Sequence, residues 1–170
     1  LPLSDDQESR TFLSDLFGNA KISKTTYDVK ESLYPLKGMG VPVRGAIDDL
    51  MLVDYLNDPG QTSATIGQLA RNVLHEDLTD PKNLIGKGKS RITMAEVPVE
   101  QLASYAAEVI WAIDKARAPL FEKLDSVQMR PLYDKVELPL AYVLADMEVT
   151  GFPIDRDALV ALGDDFSARL

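Results

Sequence analysis

Two short apolar segments alternate with helix-spaced runs over the first sixty residues, and the rest of the chain carries its apolar residues almost wholly at helical spacing. Together these predict an α/β fold rich in helix. The strand–helix–strand–helix order calls for parallel strands, because a helix between two strands returns the chain to the same end of the sheet. The length agrees: 170 residues, 45% of them hydrophobic, can close one compact core, as one domain or a domain plus a stub.

Ser4 or Asp5 can cap a first helix running to about Phe17, in which Phe12, Leu13, Leu16 and Phe17 recur at helical spacing. "GNAKISKTT" offers a turn and a short strand near residues 20–25. "YDVKESLYPLKGMG" predicts a helix over 27–36, stopped by Gly38 and Gly40, with Pro35 in its last turn. "VPVRGAI" reads as a second strand, after which Asp48 or Asp49 starts the helix "DDLMLVDYLND". In "TSATIGQLARNVL", Thr62 or Ser63 is the expected cap, with Ile66, Leu69, Ala70 and Val73 on one face. "TDPKNLIGKGKSRITMAEVP" reads as a polar connection. Pro98 then opens a long helix carrying Val99, Leu102, Ala106, Val109, Ile110, Ile113 and Ala116, which Pro119 is expected to break or restart. A further helix over 129–149 would turn Leu132, Val136, Leu140, Val143, Leu144 and Met147 inward, kink at Pro139 and stop at Gly151. Asp155 caps a last helix, with Leu159, Leu162, Phe166 and Leu170 on one side.

The net charge of −9 argues against strong non-specific binding of nucleic acid by this chain alone, since phosphate contacts need clustered Lys and Arg. With no cysteine, disulfides and thiolate metal sites are excluded, and a reducing cytoplasm is the expected compartment. No apolar run approaches the roughly 18 residues of a membrane span, and no signal peptide is visible. The chain does not begin with Met, and it is expected to be an excised or processed piece of a longer protein.

Phosphodiester hydrolysis by two metal ions needs several converging carboxylates, so that the ions sit about 3.5–4 Å apart. Asp28, Asp48 and Asp49, each at a strand-to-helix junction, are the candidates, and each can equally serve as a helix N-cap. "SYAAEVIWAIDKA" places Tyr105 one helical turn before position 109, where an acid beside a tyrosine could orient water at a metal. Val109 holds that place, and a hydrocarbon cannot ligate a cation. Glu108 is about 100° around the helix from it, and Asp114 lies on the side opposite Tyr105. His75, the only histidine, is expected at a helix C-terminus. Trp111 reads as core or interface packing, and "GKGKSR" as a solvated loop.

Two segments carry a resemblance. "GKGKSRITMAEVPVEQLASYAAEV", followed by "LYDKVELPLAYVLADMEVTGFPID", resembles the family A bacterial DNA polymerases, the DNA polymerase I type. In the second segment Glu137, Pro139, Leu140, Leu144, Met147, Glu148, Gly151 and Asp155 match the pattern that links the family's exonuclease domain to its first thumb helices. Upstream, "TTYDVK" resembles the second exonuclease motif, and "RGAIDDLMLVDYLNDP" the strand and helix next to it in the family's order. The resemblance implies a partial ribonuclease H-like exonuclease fold without its first strands, over 1–124, then the connection and first thumb helices of a polymerase domain over 125–170.

In that family the proofreading 3′–5′ exonuclease is a two-metal site. Its ligands are an Asp-x-Glu pair on the first strand, an Asp in the second motif, and an Asp four residues after a Tyr in the third. Asp28 matches the second-motif acid and Tyr105 the third-motif tyrosine. Two positions depart: Lys24 stands for the family's Asn, putting a cation where cations should bind, and Val109 stands for the third-motif Asp. The resemblance therefore implies a vestigial exonuclease site, with no metal or cofactor for this chain and Mg2+ for the polymerase domain of its parent. It implies DNA as the parent's partner, weak or no DNA binding by this chain, and a bacterial, nucleoid-associated location in the cytoplasm. A homodimer or crystal contact is expected over the strand edge that the absent first strand would pair. The rival expectations are an active exonuclease recruiting Asp49 or Asp114, and a helical protein-interaction module.

Overall fold

The computed structural model describes residues 7–60, 63, 65–88 and 91–169. The first helix, α1, spans Gln7–Phe17; its expected caps Ser4 and Asp5 lie outside the described residues, as do Thr62 and Leu170. A βαβ unit follows: β1 (Lys24–Thr26), α2 (Val29–Gly38) and β2 (Ile47–Asp49). The two strands pair in parallel, with Lys24 opposite Ile47 and Thr26 opposite Asp49. The parallel pairing is as the element order predicts, but the strands sit elsewhere. The second is confined to the end of "VPVRGAI" and the two acids beyond it. Residues 41–46 do not extend the strand: Gly45 takes a positive φ of 85° and lies so close to Ala20 that a Cβ would meet its carbonyl oxygen at 2.8 Å. That close approach fixes the chain entering β2 and leaves no room for regular pairing.

Helix α3 (Leu50–Asn57) begins directly after β2 and buries Leu50, Val53 and Leu56. Helix α4 (Ile66–Leu69) is capped by Thr65, whose side chain accepts from the Gln68 N–H, in place of the expected Thr62 or Ser63. It widens into a π-helical turn, Ala70–Leu74, and ends at exposed His75 with φ 58°. The expected polar connection is more ordered than its composition shows. It holds α5 (Pro81–Ile85), capped by Asp80, and a 3₁₀ turn at Met94–Glu96 closed by a Thr93–Glu96 capping box. Ile85 and Val97 from this stretch are buried with Leu102 in a satellite core.

Helix α6 runs unbroken from Val99 to Ser126, through Pro119. Pro119 lies on the exposed side, where the carbonyl that loses its N–H partner can face water, so the helix continues. The face that α6 buries is Leu102, Ala112, Ala116, Leu120, Phe121 and Leu124. Val99, Ile110 and Trp111 are exposed, and Trp111 is therefore not core.

Residues 130–150 form one helical run: α7 (Arg130–Leu132), a π-helical turn at Tyr133–Glu137, and α8 (Leu138–Thr150). Pro139 falls in the first turn of α8, just beyond the π turn that has already loosened the hydrogen-bond ladder. The inward face differs from the expected one. Tyr133, Ala141 and Ala145 are buried, whereas Leu132, Val136, Leu140, Val143, Leu144 and Met147 are exposed. Gly151, with φ 69°, ends α8, and α9 (Arg156–Arg169) follows with its Ala158 N–H bonded to Asp155 and no buried residue.

The main core joins α3, Leu69, the second half of α6, and Tyr133. A second cluster packs Val29, Leu33 and Ile47 against Ala141 and Ala145. Among the described residues no helix is long and apolar enough to cross a membrane.

Candidate exonuclease-site corner

The carboxylates at the two strand ends are held by backbone amides. Asp28 leaves β1 in an extended conformation and caps α2, its Oδ1 accepting from the Lys30 and Glu31 N–H groups at 2.9 and 3.1 Å. Asp49 does the same for α3: its Oδ1 accepts from Met51 and Leu52 at 2.9 and 3.1 Å. Its Oδ2 also accepts the Val29 N–H, the first of α2, at 2.9 Å. One buried carboxylate thus caps two helices, and two carboxylates satisfy the opening amides of α2 between them.

Asp49 is 1% exposed, and its burial pushes the carboxyl up to about 6, against the pull of the three amides. The nearby cations are spent elsewhere. Arg117 binds Asp48 through Nε and Nη2 at 2.8 and 2.6 Å, and Lys30 pairs with Glu148. Asp48 is therefore a strand residue tied to α6 and not a cap. Its partner lies 69 positions away, a distance at which spacing carries no signal.

Lys24, at the opening of β1, donates to the carbonyls of Asn19, Ile22 and Arg44 at 3.0, 2.8 and 2.8 Å. Its ammonium holds the loops entering both strands together. Tyr27, between Thr26 and Asp28, donates to the Ser63 carbonyl; burial, with Asp54 second, raises its hydroxyl to about 12.

Helix α6 packs beside β1, so the helix that carries Tyr105 and Val109 runs past the strand that leads to Asp28. Tyr105 is half-buried against the satellite core of Ile85, Val97 and Leu102. Burial raises its hydroxyl, and Asp80 and Glu108 add to the shift. Val109 is half-buried. Glu108 is engaged by the Thr79 N–H at 2.8 Å and the Thr79 hydroxyl at 3.0 Å, anchoring the loop after the π turn. Asp114 is exposed beside Lys115. Among the described residues no three His, Cys, Asp or Glu side chains are grouped to hold a metal ion.

Tyr133 is absent from the sequence-derived candidates, yet it closes this corner. It is fully buried, and its hydroxyl accepts the Asp49 N–H at 2.8 Å on the outer edge of β2. Burial raises that hydroxyl further than the nearby acids do. Its ring meets Phe121 edge to face, with centroids 5.6 Å apart, and the Arg117 and Arg130 guanidiniums lie over the Phe121 ring.

Comparison with known proteins accords with this arrangement. Residues 2–115 match the family model described as DNA polymerase I, ribonuclease H-like domain. The chain is 34% identical over 161 residues to DNA polymerase I of Chloroflexus aurantiacus, covering 94% of this chain and 17% of that one. It is 31% identical over 153 residues to DNA polymerase I of Geobacillus stearothermophilus, covering 90% and 17%. The chain thus spans about a sixth of the length of these relatives. In fold it is similar to the POL domain of Pol1 from M. smegmatis, solved in complex with DNA primer-template and dNTP, with a TM-score of 0.72 at 24% identity over 96% of this chain and 25% of that one. The family model covers well over half of the residues, and the chain belongs to the DNA polymerase I family, within which it carries the ribonuclease H-like domain.

Proposed function

We propose that this chain is part of a DNA-directed DNA polymerase acting in replication and repair, and that its exonuclease-like domain is structural and not catalytic. The observation that carries the reading is Val109, an aliphatic side chain where the family places a metal-binding acid one turn after Tyr105. The remaining acids support it. Asp49 is buried and occupied by three amides, Glu108 is engaged by Thr79, and Asp114 is exposed and paired with Lys115. Family membership removes the unrelated interaction-module reading.

On this reading residues 1–124 are the exonuclease-like domain, and 125–170 are the connection and first thumb helices of the polymerase domain. The exposed apolar face of α8, with Leu140, Val143, Leu144 and Met147, is where the rest of the polymerase packs. Mg2+ and DNA belong to the parent's polymerase site, and this chain by itself binds DNA weakly or not at all, a reading its charge of −9 supports.

The test is incubation of the whole polymerase with single-stranded DNA and Mg2+ or Mn2+. No metal-dependent release of 3′ nucleotides is expected; release that depends on Asp28 would overturn the reading and establish the active exonuclease in its place.

A further inference from the structure

A buried polar contact crosses the boundary between the exonuclease-like core and the polymerase helices. At the outer edge of β2, where a further strand would otherwise pair, the Asp49 N–H meets the Tyr133 hydroxyl. A buried amide without an acceptor is rare, so this hydroxyl is the edge's partner. The same residue sends its carboxylate to Val29, Met51 and Leu52. Asp49 therefore joins four elements at one point: strand β2, the N-termini of α2 and α3, and the helical run 130–150. The π turn that begins at Tyr133 gives that run its widened geometry at this point. By contrast, the Lys30–Glu148 and Lys37–Asp146 pairs that also tie α2 to α8 are exposed on their acidic side and screened by solvent.

We propose that Tyr133 is a positioning residue of the polymerase: through its hydroxyl bond to the Asp49 amide, the retired exonuclease corner fixes the direction of the first polymerase helix. The inference rests on the reading above that the polymerase domain begins within 125–170. It gives the structural domain a specific point of action. Helix α8 meets the cluster of Val29 and Leu33 through Ala141, Ala145 and half-buried Tyr142, whereas the buried anchor at the start of the helical run is Tyr133.

The test uses the whole polymerase. Tyr133→Phe keeps the ring and its contact with Phe121 and removes only the acceptor. The Asp49 amide is expected to exchange with solvent about tenfold faster, and KM for primer–template to rise about threefold at unchanged kcat. Lys30→Gln with Lys37→Gln is expected to change neither. Unchanged exchange at Asp49 would overturn the pin, and faster exchange with unchanged KM would overturn its positioning role. Should Tyr133→Phe not fold, the wild-type polymerase carries the test: its Asp49 amide is expected to exchange far more slowly than an unprotected amide, and exchange at the unprotected rate overturns the pin and the proposal with it. Release of 3′ nucleotides, measured on the same samples, reports separately on whether the exonuclease is inactive.

Discussion

Asp28, the residue expected to match the second-motif acid, is used by the fold itself. Its carboxylate takes two amides of the first turn of α2, where the helix dipole also favours a negative charge. Asp28→Ala is expected to cost about 1 kcal/mol of stability by chemical denaturation, typical of a lost N-cap, and to leave nucleotide release by the whole polymerase at background. A catalytic Asp28 would show the opposite pattern, with activity lost. Asp49 makes a prediction about pH. Its folded-state carboxyl is raised to about 6 from an ordinary value near 4, chiefly by burial. The folded protein therefore binds this proton more tightly than the unfolded chain does. The stability linked to it is fully present below about pH 4 and is lost as pH rises through 6, on the order of 3 kcal/mol across that window. Thermal melts between pH 7.5 and 5 should show this rise on acidification in the wild type and not in Asp49→Asn. Parallel slopes for the two proteins would refute it.

At the scale of elements, α8 is the instructive case. Its apolar residues lie on nearly every side, so the period that announces a helix carries no direction, and the larger side chains point to the expected inward face. The structure turns Ala141 and Ala145 inward instead, because small residues let α8 approach Val29 and Leu33 of α2 closely. The facing is testable. Ala145→Leu overfills this contact and is expected to cost about 1–3 kcal/mol, whereas Leu144→Ala, one residue away and 37% exposed, should cost well under that amount in this chain. Equal costs would mean that the helix faces the other way. Other elements divide along the same physical line. The helices α1, α2, α3, α6 and α9 were legible because their periods are local, and so were the capping acids Asp28, Asp49 and Asp155. Asp48 with Arg117, and Asp49 with Tyr133, join residues 69 and 84 positions apart, and nothing in the spacing of either announces the other. Strands of three residues are too short for a period-two pattern to locate them. Pro119 loses one hydrogen bond without ending α6, because on its exposed side the freed carbonyl can face water.

For the whole molecule, the distribution of apolar surface decides how the chain behaves by itself. Among the described residues, most of the large hydrophobics that are exposed lie between Val127 and Phe166, on the helical run 130–150, the segments flanking it and α9. The edge of β1, where sequence reasoning expects an uncovered core, is better protected: Leu33, Leu36 and Ile47 beside it are all under 7% exposed. Exposed apolar residues in such number favour association with a second copy of the chain. The isolated 170-residue chain is therefore expected to associate in light scattering as its concentration is raised. The face responsible is identified by Val143→Lys with Met147→Lys, two exposed positions on α8 that touch nothing in the core. These changes should render the chain monomeric without lowering its melting temperature. Association that survives them would place the interface at β1, whose outer side offers the backbone groups of Thr25 to a partner strand. A wild-type chain that stays monomeric at high concentration would show that the α8 face is covered within the chain itself.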